Sequence, residues 1–565
     1  MRFLQFHLVQ GMRVRSFLTV FLALLLTAPA PIQAATTPAL NIVDQIRPGA
    51  ASSFALSYET IAMDGYLYFQ AGDGTSGIEL WRTNGTSTNR VRDINPNGDS
   101  NPSSFKQLGS YIYFQANDGK SGIELWRTNG TTTKRFYDIN RGGSDSNSVP
   151  NMLTTFDGWL YFSAYNDDTG NELWRTDGTT TELVYDINPG DFESNSDPYN
   201  LTPFGEWIYF SAYSAEYGTE LWRTDGTTTE MVADIKTSEG DGSNPNELTP
   251  LGAWIYFSAS DGTYGDELWR TNGTTTEPVA NIASGWNDSF PSDLTVLGDW
   301  IYFSADDGTY GDELWRTNGN STVRVQDINL TGDSYPFFFT PFKGWIYFKA
   351  NDGVNSIELW RTNGATTQLV KDINTRSNEE SYPHSFTPLG DWLYFRANDG
   401  THGSEMWRTN GSTTERVPFG ISGVEVSMDY SQRFSTLAGR LFTAVYSTKT
   451  GSEFAWLENP TRAQATVMPS IAGTASVGKT LSVNKGTWAG APTPTFTYQW
   501  YTCTSSIKAA RSTVPSSCRK ITGANKATFR ITSSQRRKYI AVLVIGASRG
   551  TTPTQWLSKS TAAVR

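Results

Sequence analysis

Histidine, cysteine and long apolar runs are all scarce in this chain, and each scarcity closes off a class of function. Three histidines occur in 565 residues; His7 sits near the start, which leaves His384 and His402. They form no metal-ligand spacing, and no nucleophile elbow or phosphate-cradling loop accompanies them. Two cysteines, Cys503 and Cys518, leave room for a single disulfide. In an exported chain so close a pair is most simply bonded, with a loop closure worth about 3 kcal/mol. The apolar run from Phe17 to Ala28 is shorter than the ~20 residues a membrane-spanning helix needs. Charged residues make up only 18% of the chain, and acids are missing altogether from Arg462 to Arg565, where fifteen Lys and Arg stand unopposed. The rest of the chain is strongly acidic, so the two parts have different partners.

The early apolar run follows Arg13 and Arg15 and precedes Ala34 and Ala35. That order is a secretory signal peptide over residues 1–34, with Met12 as an alternative start. The mature chain is expected to be secreted or at the cell surface, with no transmembrane segment and as a monomer.

Repetition is what the chain has in excess. A phrase close to ELWRTNGT returns every 45 to 48 residues, with tryptophans at Trp81, Trp126, Trp174, Trp222, Trp269, Trp315, Trp360 and Trp407. A degraded ninth copy stands at Glu453-Phe454-Ala455. Such a period means a repeat architecture. In the unit from Leu201 to Ile235, LTPFG, WIYFSA, ELWRT and TTEMVADI read as four strands, the last two joined by an Asp-Gly hairpin turn. Ile208 and Phe210 face one way, Trp207 and Tyr209 the other. A strand apolar on both faces lies between sheets, and four-stranded sheets packed around an axis make a β-propeller. Asn41 to Ile46 matches a fourth strand, whereas the last unit, after Phe419, lacks one. The expectation is therefore all-β: about nine blades over 41–459, eight continuous and one composite, with the ring closed by the N-terminal strand. Eight blades plus an odd hairpin is the alternative.

The phrase ELWRTDGT, verbatim at Glu172 to Thr179 and Glu220 to Thr227, resembles the ELWxxDGT repeat family of bacterial exported proteins. The resemblance implies a propeller-like secreted or surface protein and no defined reaction. After a linker at 460–466, residues 467–565 resemble the small immunoglobulin-like modules of actinobacterial surface proteins. The points of likeness are Trp488, Tyr498-Gln499-Trp500-Tyr501, the cysteine pair and Tyr539-Ile540. This implies a β-sandwich acting as spacer or attachment module, although the cysteine spacing differs from that of antibody domains. Arg519-Lys520 and Arg536-Arg537-Lys538 suit contact with anionic envelope polymer. The exported context argues against nucleic acid.

Chemistry is expected on the face formed by two sets of loops. The loops inside each blade carry Asp73, Asp118, Asp168, Asp261, Asp307, Asp352 and Asp399; the loops between blades are longer and variable. Calcium fits the oxygen-rich cluster Asp191, Glu193 and Asp197, with Glu239 and Asp241 next. Glycan or another polymer fits Trp286, Phe290, Tyr335, Phe192 and Tyr382, whose rings interrupt polar loops. His384 and His402 fall on this face in blade eight. The third reading is that the acids only solvate the surface. The repeated Glu79 through Glu405 are expected to pair with Arg82 through Arg408 and set register. Together these point to a surface binding or adhesion protein for glycan, protein or calcium. The alternatives are a secreted polysaccharide-degrading enzyme with a carboxylate pair and a purely structural envelope scaffold.

Overall fold

The computed structural model describes residues 40–42, 46–48, 52–53, 59–190, 194–238, 240–376, 379–417, 426–428, 434–447, 451–458, 461–491, 494–547 and 553–565. The proposed signal peptide and Asp191, Phe192, Glu193 and Glu239 lie outside them. The described residues form strands and a single 3-10 turn, Ser533–Gln535. Among them no helix is long and apolar enough to cross a membrane.

Eight antiparallel four-stranded sheets follow one another, blade one starting at Ile61–Met63 and blade eight ending at Thr414–Arg416. A ninth sheet is composite. Ser435–Leu437, Arg440–Ser447 and Gly451–Glu458 come from the end of the repeat region, and Leu40–Ile42 pairs on Gly451–Glu458 with Ile42 opposite Ala455. Val426–Met428 adds a further strand beside Arg440–Ser447 that the repeat pattern did not foretell. The first strands of neighbouring sheets contact one another from blade one to blade eight, so they are the inner strands around a common axis.

Packing follows the two-faced WIYF strand. In blade four, Ile208, Phe210 and Ala212 meet Tyr161 and Leu173 of blade three, while Tyr209 and Leu221 meet Leu248 and Phe257 of blade five. Blade nine shares a core with blade eight through Leu441, Val445 and Met406, and with blade one through Phe69, Phe442 and Phe454. Phe69 stacks on Phe454 at 4.8 Å between centroids, and Arg440 donates to the Asn84 carbonyl of blade one at 3.1 Å.

The repeated Glu and Arg do not pair with each other. They stand three residues apart on one strand, and side chains alternate faces along a strand, so they point to opposite sides. The buried Glu220 accepts from the Ile235 N–H at 3.2 Å, the Ser243 N–H at 2.8 Å and the Ser243 hydroxyl at 2.6 Å. It thereby holds the loop leading to the next blade, and ends the fourth strand at Ala233 rather than Ile235. Glu79 does the same with Ile94 and Ser100, Glu358 with Ile373 and Ser381, and Glu453 reaches the N–H of Ile46. The arginine instead lies over the ring that opens the second strand. Arg175 is 4.1 Å from the Trp159 centroid and Arg223 is 4.2 Å from Trp207; both also pair with an outer-strand glutamate, Glu182 or Glu230. Arg127 further grips the Gly178 carbonyl in the next blade's hairpin turn at 2.9 Å. The equivalent Gly226 has φ +88°, and a Cβ there would collide with Arg175 and Tyr161 of the preceding blade. One phrase thus supplies a loop clamp, an interblade ring and a socketed turn.

From Thr461 onward the strands form separate small sheets. A three-stranded sheet carrying Leu481 and a four-stranded sheet carrying Trp500, Ile540, Val542 and Val544 share one core. Cys503 and Cys518 are bonded, linking the strands that carry them. Arg519, Lys520, Arg536, Arg537 and Lys538 are exposed.

Candidate functional site

Most of the oxygen-rich loop groups are already engaged by their own backbone. Asp261 Oδ1 accepts from the N–H groups of Thr263 at 2.7 Å and Tyr264 at 2.9 Å, and Asp73, Asp118, Asp307, Asp352 and Asp399 repeat the arrangement. In blade three Asn166 takes this part instead of Asp168. Between blades, Asp288 and Asp333 reach back to the N–H groups of Asp266 and Asp312. Short polar side chains commonly close turns this way. Asp197 accepts from Asn171 at 2.7 Å, and Asp241 lies 3.6 Å from Lys236. Among the described residues no group of three His, Cys, Asp or Glu is placed to hold a metal ion.

The two histidines are not brought together in any described contact. His402 Nδ1 lies 2.8 Å from Asp399 within its own loop. His384 opens the inner strand of blade eight, with Nδ1 2.8 Å from the Tyr382 carbonyl. Burial, with Arg396 and Lys349 nearby, pulls His384 down to about 4, so it is neutral at physiological pH and donates to that carbonyl.

Each inner strand from blade two to blade eight contains a β-bulge whose second residue has positive φ: Ser104, Met152, Asn200, Glu247, Asp293, Phe338 and Ser385, at 54 to 63°. Non-glycine residues seldom adopt this conformation. Two residues before each inner strand, a second positive-φ residue precedes a proline: Asn101, Val149, Asp197, Asn244, Phe290, Tyr335 and Tyr382, at 43 to 51°. These two rings of equivalent positions surround the axis on the variable-loop face.

The rings are asymmetric. At the second one, blades two to five carry Asn101, Val149, Asp197 and Asn244, whereas blades six to eight carry Phe290, Tyr335 and Tyr382, which are 52 to 58% exposed. The hydroxyl of Tyr335 donates to Asp333 at 2.8 Å, which pins the ring outward. Trp286, 90% exposed, lies in the loop leading to blade six. The first residue of the inner strand tells the same story. It faces one residue of the second strand, and the pairs are Ser103–Gln115, Asn151–Ser163, Tyr199–Ser211, Asn246–Ser258 and Ser292–Ser304, then Phe337–Lys349 and His384–Arg396. Lys349 Nζ lies 5.0 Å from the Phe338 centroid and 5.8 Å from Phe337.

Three carboxylates also belong to this axial region, and the sequence reading missed them: Glu59, which accepts from the N–H groups of Ser104 and Phe105 in blade two, Glu247 and Asp293. Asp293 accepts from the N–H of Phe339 at 2.8 Å, and Glu247 from that of Leu294 at 3.4 Å. Each therefore ties its inner strand to the next. Burial raises Asp293, and the neighbouring charge of Glu247 adds to this. For Glu247 and Asp293 the signal in sequence was an acid at the bulge position, legible only once the bulge is known.

No protein-family model matches the sequence, and no curated protein matches it. Solved structures that it resembles include a prolyl endopeptidase, at 13% identity over 61% of this chain and 54% of that one, with a TM-score of 0.36. A Mycobacterium tuberculosis puromycin-hydrolyzing peptidase matches at 11% identity over 64% of this chain and 60% of that one, with a TM-score of 0.33. The Niastella koreensis GH74 enzyme matches at 11% identity over 93% of this chain and 91% of that one, with a TM-score of 0.29. The chain thus spans less than two thirds of the length of the peptidases it matches.

Proposed function

We propose that this is an exported binding protein of the ELWxxDGT type, whose propeller presents a saccharide-binding sector on the variable-loop face of blades six to eight. The observation that carries this is the run of Phe290, Tyr335 and Tyr382 at one equivalent position on three consecutive blades, all exposed. Aromatic rings held over polar loops give sugar rings a stacking surface, and the surrounding Asp and Asn offer hydroxyl partners. Binding is favoured over bond cleavage because Asp293 and Asp333, two acids of this sector, are committed to the Phe339 N–H and the Tyr335 hydroxyl. The exposed basic groups of the C-terminal module would hold the protein near anionic envelope polymer. The test is a glycan array with the full chain and with the Tyr335→Ala/Tyr382→Ala double variant. The wild type is expected to bind a defined subset of glycans and the variant to lose at least tenfold in affinity, with an unchanged melting temperature. Absence of saccharide binding by the wild type would refute the reading.

A further inference from the structure

The sector carries positive charge as well as aromatic surface, and the two departures from the repeat coincide at blades seven and eight. At the second-strand position facing the inner strand, blades one to six carry Gln70, Gln115, Ser163, Ser211, Ser258 and Ser304, all neutral. Blades seven and eight carry Lys349 and Arg396. A position filled by a small or neutral residue wherever only the scaffold is served has no structural need of a cation. Neutral residues satisfy the same register in blades two to six, so the substitution serves something other than the sheet.

The setting of Lys349 sharpens this. Its ammonium lies over the faces of Phe337 and Phe338, and among the described residues no carboxylate comes within 4 Å of it. The acids that act on it through space are Asp293 and Glu380; burial outweighs them and pulls Lys349 below the ordinary ammonium range. A half-buried ammonium without an ion-pair partner is costly to keep, and an incoming anion would recover that cost. Arg396, fully buried in blade eight, acts through space on His384 as Lys349 does, and its guanidinium cannot relinquish its proton even though it shares its field with Glu405. His384, beside Phe338 at 6.5 Å between centroids, is neutral and supplies no competing charge. Exposed Tyr335 and Tyr382 stand just before the inner strands that carry Phe337 and His384, and so flank the same place.

From this juxtaposition, and resting on the saccharide-binding reading above, we infer that the sector selects a sugar bearing a carboxylate. The ring stacks on the Tyr335–Tyr382 arc, its carboxylate is received by Lys349 in the field of Arg396, and its hydroxyls face Asp293 and Glu380. Nothing is transferred or cleaved; the step is ion pairing in a partly desolvated site, where it is stronger than at an open surface.

The decisive comparison uses oligosaccharides of galacturonate, glucuronate and mannuronate, each as the free acid and as its methyl ester. The ester keeps the ring and removes the charge. Titrations use the full chain, and Lys349→Gln and Lys349→Arg variants. Gln is the residue blades one and two already carry at this position, so the fold is expected to accept it. The expected result is at least a tenfold preference of the wild type for one free acid over its ester. Lys349→Gln abolishes that preference and Lys349→Arg keeps it. Equal binding of acid and ester by the wild type would overturn the inference whatever the variants do, and would leave saccharide binding standing. Preference retained in Lys349→Gln would overturn the role of Lys349. Binding to neither form, with none on the array, would remove both the inference and the function it rests on.

Discussion

Blades four and seven share the same four strands, the same inner-strand bulge and the same turn glycine, yet they present opposite surfaces around the axis. Blade four offers Asp197, Asn200 and the Tyr199–Ser211 pair; blade seven offers Tyr335, Phe338 and the Phe337–Lys349 pair. The backbone is constant and the side chains at fixed positions are not. In a repeat protein this separates two kinds of residue. Those present in every copy build the interfaces between copies, and those that break the pattern on neighbouring copies are the ones a ligand can use.

The largest expected effect comes from breaking the part of the scaffold that is made only once. Deleting residues 40–46 removes the strand opposite Leu457 and Ala455, the buried Ile46 and its bond to Glu453. Blade nine would lose its outer strand, and the interface with blade one would be exposed. A drop in melting temperature of more than about 10 °C is expected, since a few kcal/mol shift a large domain by several degrees each. An unchanged melting curve would mean that this strand does not close the ring.

Next in size are the repeated glutamates, and here the two halves of the comparison should behave alike. Glu220→Ala in blade four and Glu358→Ala in blade seven each strand buried N–H and hydroxyl donors. The cost should be roughly 3 kcal/mol or more in each, because an unsatisfied buried donor costs about 1–3 kcal/mol. Glu230→Ala, which removes the half-exposed partner of Arg223, should cost less than about 1 kcal/mol. Denaturant unfolding of the three variants measures this. A large loss in only one of the two blades would show that the repeated positions are not equivalent.

The blade count and the composite ninth sheet were legible because periodicity and hairpin signals are local, and because a leftover strand at one end matched a missing one at the other. Ile46 binds Glu453 as Ile94 binds Glu79, so even that equivalence was written in the sequence. The pairing of Glu with Arg was misread because proximity in sequence hides that an odd separation puts two residues on opposite faces of a strand. The site was half legible. Tyr335, Tyr382 and His384 stand out as aromatic or rare residues in polar loops. Lys349 and Arg396 do not, since a cation in a strand looks like a solvated one until the register sets it opposite Phe337 or His384. Asp241 and Asp197 stand out in sequence because acids cluster near them; in the fold Asp197 accepts from Asn171 of blade three's third strand and Asp241 lies beside Lys236.

The smallest expected difference is between the wild type and the aromatic variant in an effect distributed over many blades, and it tests whether the diverged sector is independent of the scaffold. Burial pushes Glu124, Glu172, Glu267, Glu313, Glu358, Glu405 and Glu453 up to about 7. An unfolded glutamate titrates at about 4.3, so between these values the folded chain holds more protons than the unfolded one. Stability therefore falls as pH rises through this interval and levels off above about 7. His384, lowered to about 4, acts in the opposite sense as pH drops below its unfolded value, one group against seven. Melting temperature should thus rise by several degrees from pH 7.5 to pH 5. These glutamates occupy both sectors, so the Tyr335→Ala/Tyr382→Ala variant should trace the wild-type profile point for point even as it loses ligand. A shifted profile would mean that the aromatic arc braces the blades, and the distinction between repeated scaffold and diverged site would fail at the residues where it matters most.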